Sequence, residues 1–242
     1  MMRAYLYLTF LIIIISCSTT KTLSPVSKDN YRSIFNGKDL TGWDGDQRYW
    51  RVEDGILIGE VTPSTLLKRN SFIINKDLIT RDFELKVEYR VSANGNSGIN
   101  YRSAMIDSLP YAMVGYQADI DGRNRWSGQN YEERGRTFLA VRGQTVVINP
   151  GYKSPPYDSI AAKVKNDPKS DSLGKFIHNE NWNEYHLIVK GNRMQHYIND
   201  VLMSDVTDND LAHSKLSGKL GVQVHVGPPM KIECRNFRFK DL

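Results

Sequence analysis

One short segment of the chain carries polar side chains suited to hydrogen bonding and proton transfer. In GYQADID, residues 115–121, the period of two of a β-strand places three apolar residues on one face and Gln117, Asp119 and Asp121 on the other. Gln117 and Asp119 therefore project in the same direction, toward either water or a ligand. Asp119 can also act as a base or a metal ligand. Asp121 precedes Gly122, and we expect it to hold a turn.

Further candidates lie far from this segment along the chain. In VQVHV, His225 shares a face with Gln223, and a neutral imidazole takes up a proton near physiological pH; the alternative is a structural histidine. In YEERGR, Glu133 can act as an acid while Arg136 orients it; the alternative is an ion pair in a loop. Asp119, Glu133 and His225 offer mixed oxygen and nitrogen ligands that suit a divalent cation, so a metal is possible, but their spacing does not establish one.

These side chains need a scaffold, and the sequence pattern predicts one made of strands. Apolar and polar residues alternate over 83–90, 99–102 and 220–226, separated by turn signals rich in Gly and Asn. This pattern predicts an all-β sandwich or jelly roll. One short helix is expected over 158–165, with Asp158 as its cap, inside a long loop.

The N-terminal segment predicts export and lipid attachment. Residues 1–16 have the proportions of a signal peptide, and Ile14-Ile15-Ser16-Cys17 resembles a bacterial lipobox. We therefore expect lipidation of Cys17 and contact with a membrane through that lipid only; a plain secretory signal is the alternative. Residues 17–30 are rich in Ser, Thr and Lys and predict a flexible tether to one domain over 31–242, held at the bacterial cell envelope.

Composition excludes several other classes of protein. With Cys17 lipidated, Cys234 has no partner for an intramolecular disulfide, and its alternating context predicts a buried strand position. The net charge is +5, but the 32 basic residues are scattered among 27 acidic ones without a basic block, which argues against nucleic acid as a partner.

Eight phrases, taken in order, resemble a known family. Together they are similar to the bacterial 3-keto-disaccharide hydrolase domain family over nearly the whole mature domain. The resemblance implies a concanavalin-like jelly roll of two antiparallel sheets, with a carbohydrate-binding groove on one of them. The phrases are FNGKDLTGW (35–43), WRVEDGILIGE (50–60), DFELKVEYR (82–90), GNSGINYRS (95–103), GYQADIDG (115–122), YEERGR (131–136), NWNEYHLIVKGNRMQHYIND (181–200) and GVQVHVGPPMKIECRNFRFKDL (221–242).

The resemblance also implies a substrate, a glycoside whose sugar is oxidised to a ketone at C3. Such a ketone acidifies the C2 hydrogen, so the C1 substituent can leave by elimination and water can then add, without an oxocarbenium ion. This chemistry needs a base near C2, an acid at the glycosidic oxygen and a donor for the developing oxyanion. The alternatives are a non-catalytic carbohydrate-binding module of the same fold and an ordinary glycoside hydrolase with two carboxylates.

These needs assign roles to the candidate residues. We predict Asp119, Glu133 and His225 as catalytic groups. Glu133 is preferred to Glu132 because the family phrase points to the second acid after the tyrosine. The predicted substrate-binding residues comprise polar groups that reach sugar hydroxyls or the oxyanion and one aromatic ring that stacks on a sugar. They are Arg102, Gln117, Arg136, Gln223, Glu60 and Trp126.

Overall fold

The structure is a computed structural model that describes residues 30–242. The predicted signal peptide, most of the predicted tether and Cys17, the predicted site of lipidation, lie outside the described residues. Within 30–242, no helix is both long enough and apolar enough to cross a bilayer. Most of the regular secondary structure in the described residues is β-strand, as the alternation predicts.

Sixteen strands and two helices make up this described part. The strands are β1 (Arg32–Ser33), β2 (Trp43–Asp44), β3 (Trp50–Glu53), β4 (Ile56–Val61), β5 (Ser71–Asn75), β6 (Phe83–Val91), β7 (Asn96–Met105), β8 (Met113–Asp121), β9 (Asn130–Glu133), β10 (Thr137–Ala140), β11 (Thr145–Ile148), β12 (Asn183–Lys190), β13 (Arg193–Ile198), β14 (Val201–Asp208), β15 (Lys219–Val224) and β16 (Met230–Asp241). The helices are α1 (Tyr157–Lys165) and α2 (Pro168–Gly174).

The strands form two sheets, which confirms the predicted sandwich. A nine-stranded sheet has the order β11-β14-β13-β12-β6-β16-β4-β3, with β1 added beside β16. A seven-stranded sheet has the order β10-β9-β8-β7-β15-β5-β2. All pairings are antiparallel except β11 with β14. The candidate proton-transfer residues all come from the seven-stranded sheet and the loops around it.

The core lies between the sheets, where strands of both sheets contribute buried apolar side chains. Leu85 and Val87 of β6 and Tyr116 and Ala118 of β8 belong to the same buried cluster. The opposite face of β8 is therefore directed away from the core, and it carries Gln117 and Asp119. Cys234 is also fully buried, as predicted, and burial raises the pKa of its thiol.

The long loop differs from the sequence prediction in its helices. It contains two short helices where one was predicted. Asp158 does not cap α1: Pro156 occupies that position without a side-chain hydrogen bond, and Asp158 lies in the first turn. The second helix has the conventional cap, because the Asp167 side chain accepts from the Lys169 backbone amide. The buried side of α1 packs beside Phe138, next to the open face of the seven-stranded sheet.

Candidate active site

A pocket of about 730 Å³ opens on the outer face of the seven-stranded sheet, within the usual size range for ligand sites. Five of the predicted site residues line it: Gln117, Asp119, Trp126, Glu133 and His225. They come from β8, β9, the end of β15 and the loop after β8. The fold thus assembles side chains separated by more than 100 positions in the sequence.

Strand register explains how the floor of the pocket forms. Gln117 on β8 lies opposite Tyr131 on β9, so Tyr131 and Glu133, two residues apart, share the face of Gln117 and Asp119. On the other side of β8, Asp119 lies opposite Gly98. A Cβ at Gly98 would lie 2.6 Å from Gln117 Cγ and Cδ, so glycine leaves the space that the Gln117 side chain occupies.

Side-chain amides hold both oxygens of Asp119. Gln117 donates to Asp119 Oδ1 at 2.5 Å, and Gln129 donates to Oδ2. Gln223 lies beneath, donating to Gln117 Oε1 at 3.1 Å, and its Nε2 is 3.5 Å from Glu133 Oε2. The amides therefore connect the two carboxyl groups and fix their orientations.

Burial sets the protonation of Asp119. Only 5% of the residue is exposed, and the loss of hydration raises its pKa to about 7. The hydrogen bonds from Gln129 and Gln117 act in the opposite direction, and the neighbouring charge of Glu133 adds to the rise. A carboxyl group that titrates near neutral pH can both take and return a proton.

This raised pKa predicts a dependence of folding stability on pH. In the unfolded chain Asp119 titrates near 3.8, so between that pH and about 7 the native state holds a proton that the unfolded state has lost. Stability conferred by this group should therefore fall as pH rises through that window, by up to about 1.4 kcal/mol per pH unit. Urea unfolding of the wild type and Asp119→Asn from pH 4 to 8 measures it. If the free energy of unfolding changes equally with pH in the two proteins, the raised pKa of Asp119 is contradicted.

Glu133 is held by different partners. It is 7% exposed; Asn70 donates to its Oε1 at 3.1 Å, and Arg134 Nε lies 3.8 Å from the same oxygen. Asn70 also accepts from the backbone amide of Val226 at 3.0 Å, which ties the loop before β5 to the end of β15. Glu133 thus has a cation beside it, whereas Asp119 has only amides.

A buried histidine, His196, holds the backbone of Gln129, the residue that donates to Asp119. The Gln129 carbonyl accepts from the Asp119 backbone amide at 3.3 Å and from His196 Nδ1 at 3.2 Å. Because a carbonyl only accepts, Nδ1 carries the proton, and Nε2 accepts from the Tyr101 hydroxyl at 2.8 Å. Burial lowers the pKa of His196 to about 3, so this ring stays neutral. The buried Gln129 Oε1 atom has no hydrogen-bond partner within 30–242.

Aromatic rings form one wall of the pocket. The ring of Trp126 lies 5.4 Å from that of Phe138 and 5.8 Å from that of Tyr157 at the start of α1. These rings offer an apolar surface of the kind on which sugar rings pack. His225 lies at the edge of the pocket, partly exposed, with its Nδ1 next to the Val226 carbonyl.

The structure does not place Arg102 in this pocket, which corrects its prediction as a substrate-binding residue. A register shift in the pairing of β7 with β8 follows Tyr101, and Arg102 takes a left-handed backbone angle, φ 46°. The alternation breaks there, and the side chain is 1% exposed. Its guanidinium donates to the carbonyls of Arg81 and Gly191 and to Asp82 Oδ1, at 2.8, 2.6 and 2.9 Å.

Arg136 also lies outside the pocket, contrary to its predicted role. Its guanidinium donates to Asp208 at 2.6 Å and to Glu132 at 2.6 Å, and both partners are buried. The alternative predicted for Glu133 and Arg136 was an ion pair in a loop; Arg136 instead pairs with Glu132, and Glu133 faces the pocket. Arg136 stabilises the fold through these charge-assisted bonds.

The two remaining predicted binding residues do not line the pocket. Gln223 is fully buried under its floor, where it contacts Gln117 rather than a ligand. Glu60 lies on β4 of the other sheet and is paired with Arg51 at 2.7 Å. Asp121, expected to hold a turn, accepts from the backbone amides of Arg123, Arg125 and Trp126.

The possible divalent metal finds no assembled site among the described residues. No group of three or more His, Cys, Asp or Glu side chains in 30–242 is arranged to hold a metal ion. Asp119, Glu133 and His225 share the pocket but do not converge as ligands, and the oxygens of Asp119 are already bonded to amides.

Sequence reasoning missed several polar groups of the pocket. Asn70, Gln129, Tyr131 and Arg134 line it. Tyr131 carried a signal, because it is two residues before Glu133 and must share its face. Asn70, Gln129 and Arg134 lie in loops or at strand ends, where no periodicity predicts direction.

Comparison with known proteins assigns the chain to a family. The family model for 3-keto-alpha-glucoside-1,2-lyase-like domains matches residues 30–240. The chain belongs to this family. A curated relative from Bacteroides thetaiotaomicron, a 3-keto-disaccharide hydrolase, is 33% identical over 98 residues. That match spans 35% of this chain and 31% of the relative, about a third of its length.

Solved structures share the fold. A "putative glycosyl hydrolase" from Parabacteroides distasonis superposes with a TM-score of 0.55 at 20% identity, covering 88% of this chain and 94% of that one. The carbohydrate-binding module CBM66 from Bacillus subtilis gives 0.53 at 17% identity, covering 84% and 97%. At these identities the likeness establishes the sandwich architecture alone.

Proposed function

We propose that this protein cleaves 3-keto-glycosides by removing the C2 proton, eliminating the C1 substituent and adding water. The observation that carries the proposal is the pair of carboxyl groups on one pocket floor, with the pKa of Asp119 raised to about 7. Membership of the family supports the substrate class. The pocket supplies an aromatic wall and hydrogen-bonding groups for a sugar.

Asp119 is the base in this scheme. Its carboxylate takes the C2 proton, and the electrons of the C–H bond form an enediolate that includes the C3 oxygen. Gln117 and Gln129 hold the carboxylate in one orientation, which lowers the entropic cost of reaching the reactive geometry. Arg134, beside Glu133, takes over the oxyanion role first predicted for Arg102, since a guanidinium stabilises developing negative charge.

Glu133 is the acid. As the C3 carbonyl re-forms, a C1=C2 double bond appears, the C1–O bond breaks and Glu133 gives its proton to the leaving oxygen. Water then adds at C1, losing a proton to the Glu133 carboxylate, while Asp119 returns a proton to C2. The net change consumes one water molecule and restores both groups. His225, partly exposed at the pocket edge, is the third proposed catalytic group and lies where it can pass protons between the pocket and solvent.

The experiment compares an aryl glycoside with its 3-keto derivative under the same conditions. We expect release of the aryl alcohol from the keto form only, because only the ketone acidifies C2. Cleavage of both forms would replace the proposal with a two-carboxylate glycoside hydrolase. Affinity for either form without turnover would replace it with a carbohydrate-binding module.

A further inference from the structure

A second pocket adjoins the first. It has a volume of about 460 Å³ and shares Arg69 with the candidate active site; the two adjoining pockets together are called the groove below. Its walls include Tyr49, Tyr111 and Lys68. The proposed cleavage uses only the first pocket and leaves this one without a role.

The second pocket is electropositive. Arg48 is neutralised, because its guanidinium donates to both Asp46 oxygens. Lys68 and Arg69 are exposed, and neither has an acidic partner within residues 30–242. Two unpaired cations therefore line the second pocket, and one of them, Arg69, also lines the first. A guanidinium next to an ammonium is well suited to a carboxylate.

The loop that carries these cations is fixed to the catalytic floor. Asn70, the residue after Arg69, donates to Glu133 and accepts from the Val226 backbone amide. Asp119 instead accepts from Gln129, whose backbone amide donates to the Trp126 carbonyl, so Asp119 lies on the side of the aromatic wall. A sugar with C2 at Asp119 and its glycosidic oxygen at Glu133 thus directs its leaving group toward Arg69.

We infer that the second pocket is a subsite for the leaving group, and that Lys68 and Arg69 select leaving groups that carry a carboxylate. The substrates of this class are 3-keto-glycosides of acidic sugars or of acidic aglycones. The inference rests on the proposed function for the direction of the leaving group. The binding surface itself depends only on the groove and its charges.

The test uses two matched substrates, the 4-carboxyphenyl and the 4-carbamoylphenyl 3-keto-glycosides, which differ in charge but little in shape. The measured quantity is the kcat/KM for the acid divided by the kcat/KM for the amide. We expect the double variant Lys68→Gln/Arg69→Gln to lower this ratio by about tenfold, since each exposed charge contributes modestly. Comparing ratios between proteins cancels the intrinsic reactivity of the two leaving groups. The loss should shrink as salt screens the charges.

The control is Lys38→Gln/Lys175→Gln, which removes the same net charge from exposed positions outside the groove and should keep the wild-type ratio. An unchanged ratio in the groove variant, or an equal fall in both double variants, overturns the inference.

If the wild type cleaves neither substrate, the proposed function fails separately. Calorimetric binding of the unoxidised 4-carboxyphenyl and 4-carbamoylphenyl glycosides then decides the subsite: a preference for the acid that the groove variant loses supports it, and equal affinities overturn it.

Discussion

Replacing Asp119 with asparagine is expected to lower kcat/KM for a 3-keto-glycoside by about 10²–10⁴-fold, the usual contribution of a positioned general base. Asparagine fills the same space between Gln117 and Gln129 but cannot take the C2 proton. Initial rates of aglycone release from the keto substrate measure the loss. The matched control is Asp77→Asn, an exposed carboxyl group outside the pocket, which should keep the wild-type rate.

Retention of the wild-type rate by Asp119→Asn would show that this carboxyl group is not the base. A misfolded variant would give a false loss, so its thermal unfolding should be recorded beside the rates. We expect the variant to remain folded, because it removes a charge that is costly to bury at neutral pH. Loss of activity in a stable protein separates a catalytic role from a structural one.

The sequence predicts the strands and the floor of the pocket well, and for a simple reason. Alternation over 115–121 reflects a regular strand with one buried face, so the shared direction of Gln117 and Asp119 follows from geometry. The same rule gives Phe83–Val91 its buried and exposed faces. Glu133 was identified by a family phrase, and the structure places it in the same pocket.

Arg102 shows where this rule fails. The predicted direction of its side chain assumed unbroken alternation through Tyr101, but the strand carries an irregularity there that no residue pattern announces. Arg136 fails for a different reason, because its partner Asp208 lies 72 positions away on β14. Gln129 and Asn70 depend on loops, whose direction is set by tertiary contacts such as the bond from His196 to the Gln129 carbonyl.

The second prediction with a large expected effect is the incorporation of deuterium from solvent at C2 of the released sugar. Elimination removes the C2 hydrogen and hydration restores one from an acid that exchanges with solvent, because Asp119 lines an open pocket. Cleavage in D₂O should therefore leave one deuterium at C2 of nearly every product molecule. Direct displacement at C1 through an oxocarbenium-like transition state leaves C2 untouched.

Mass spectrometry or NMR of the 3-keto sugar, quenched early in the reaction, measures this label most directly. Incubating the 3-keto product alone in D₂O, and with Asp119→Asn, corrects for spontaneous exchange beside the ketone. One deuterium at C2 per cleavage event, above that background, is the predicted result. Aglycone release with C2 still carrying its original hydrogen would contradict elimination and would assign the two carboxyl groups to direct hydrolysis.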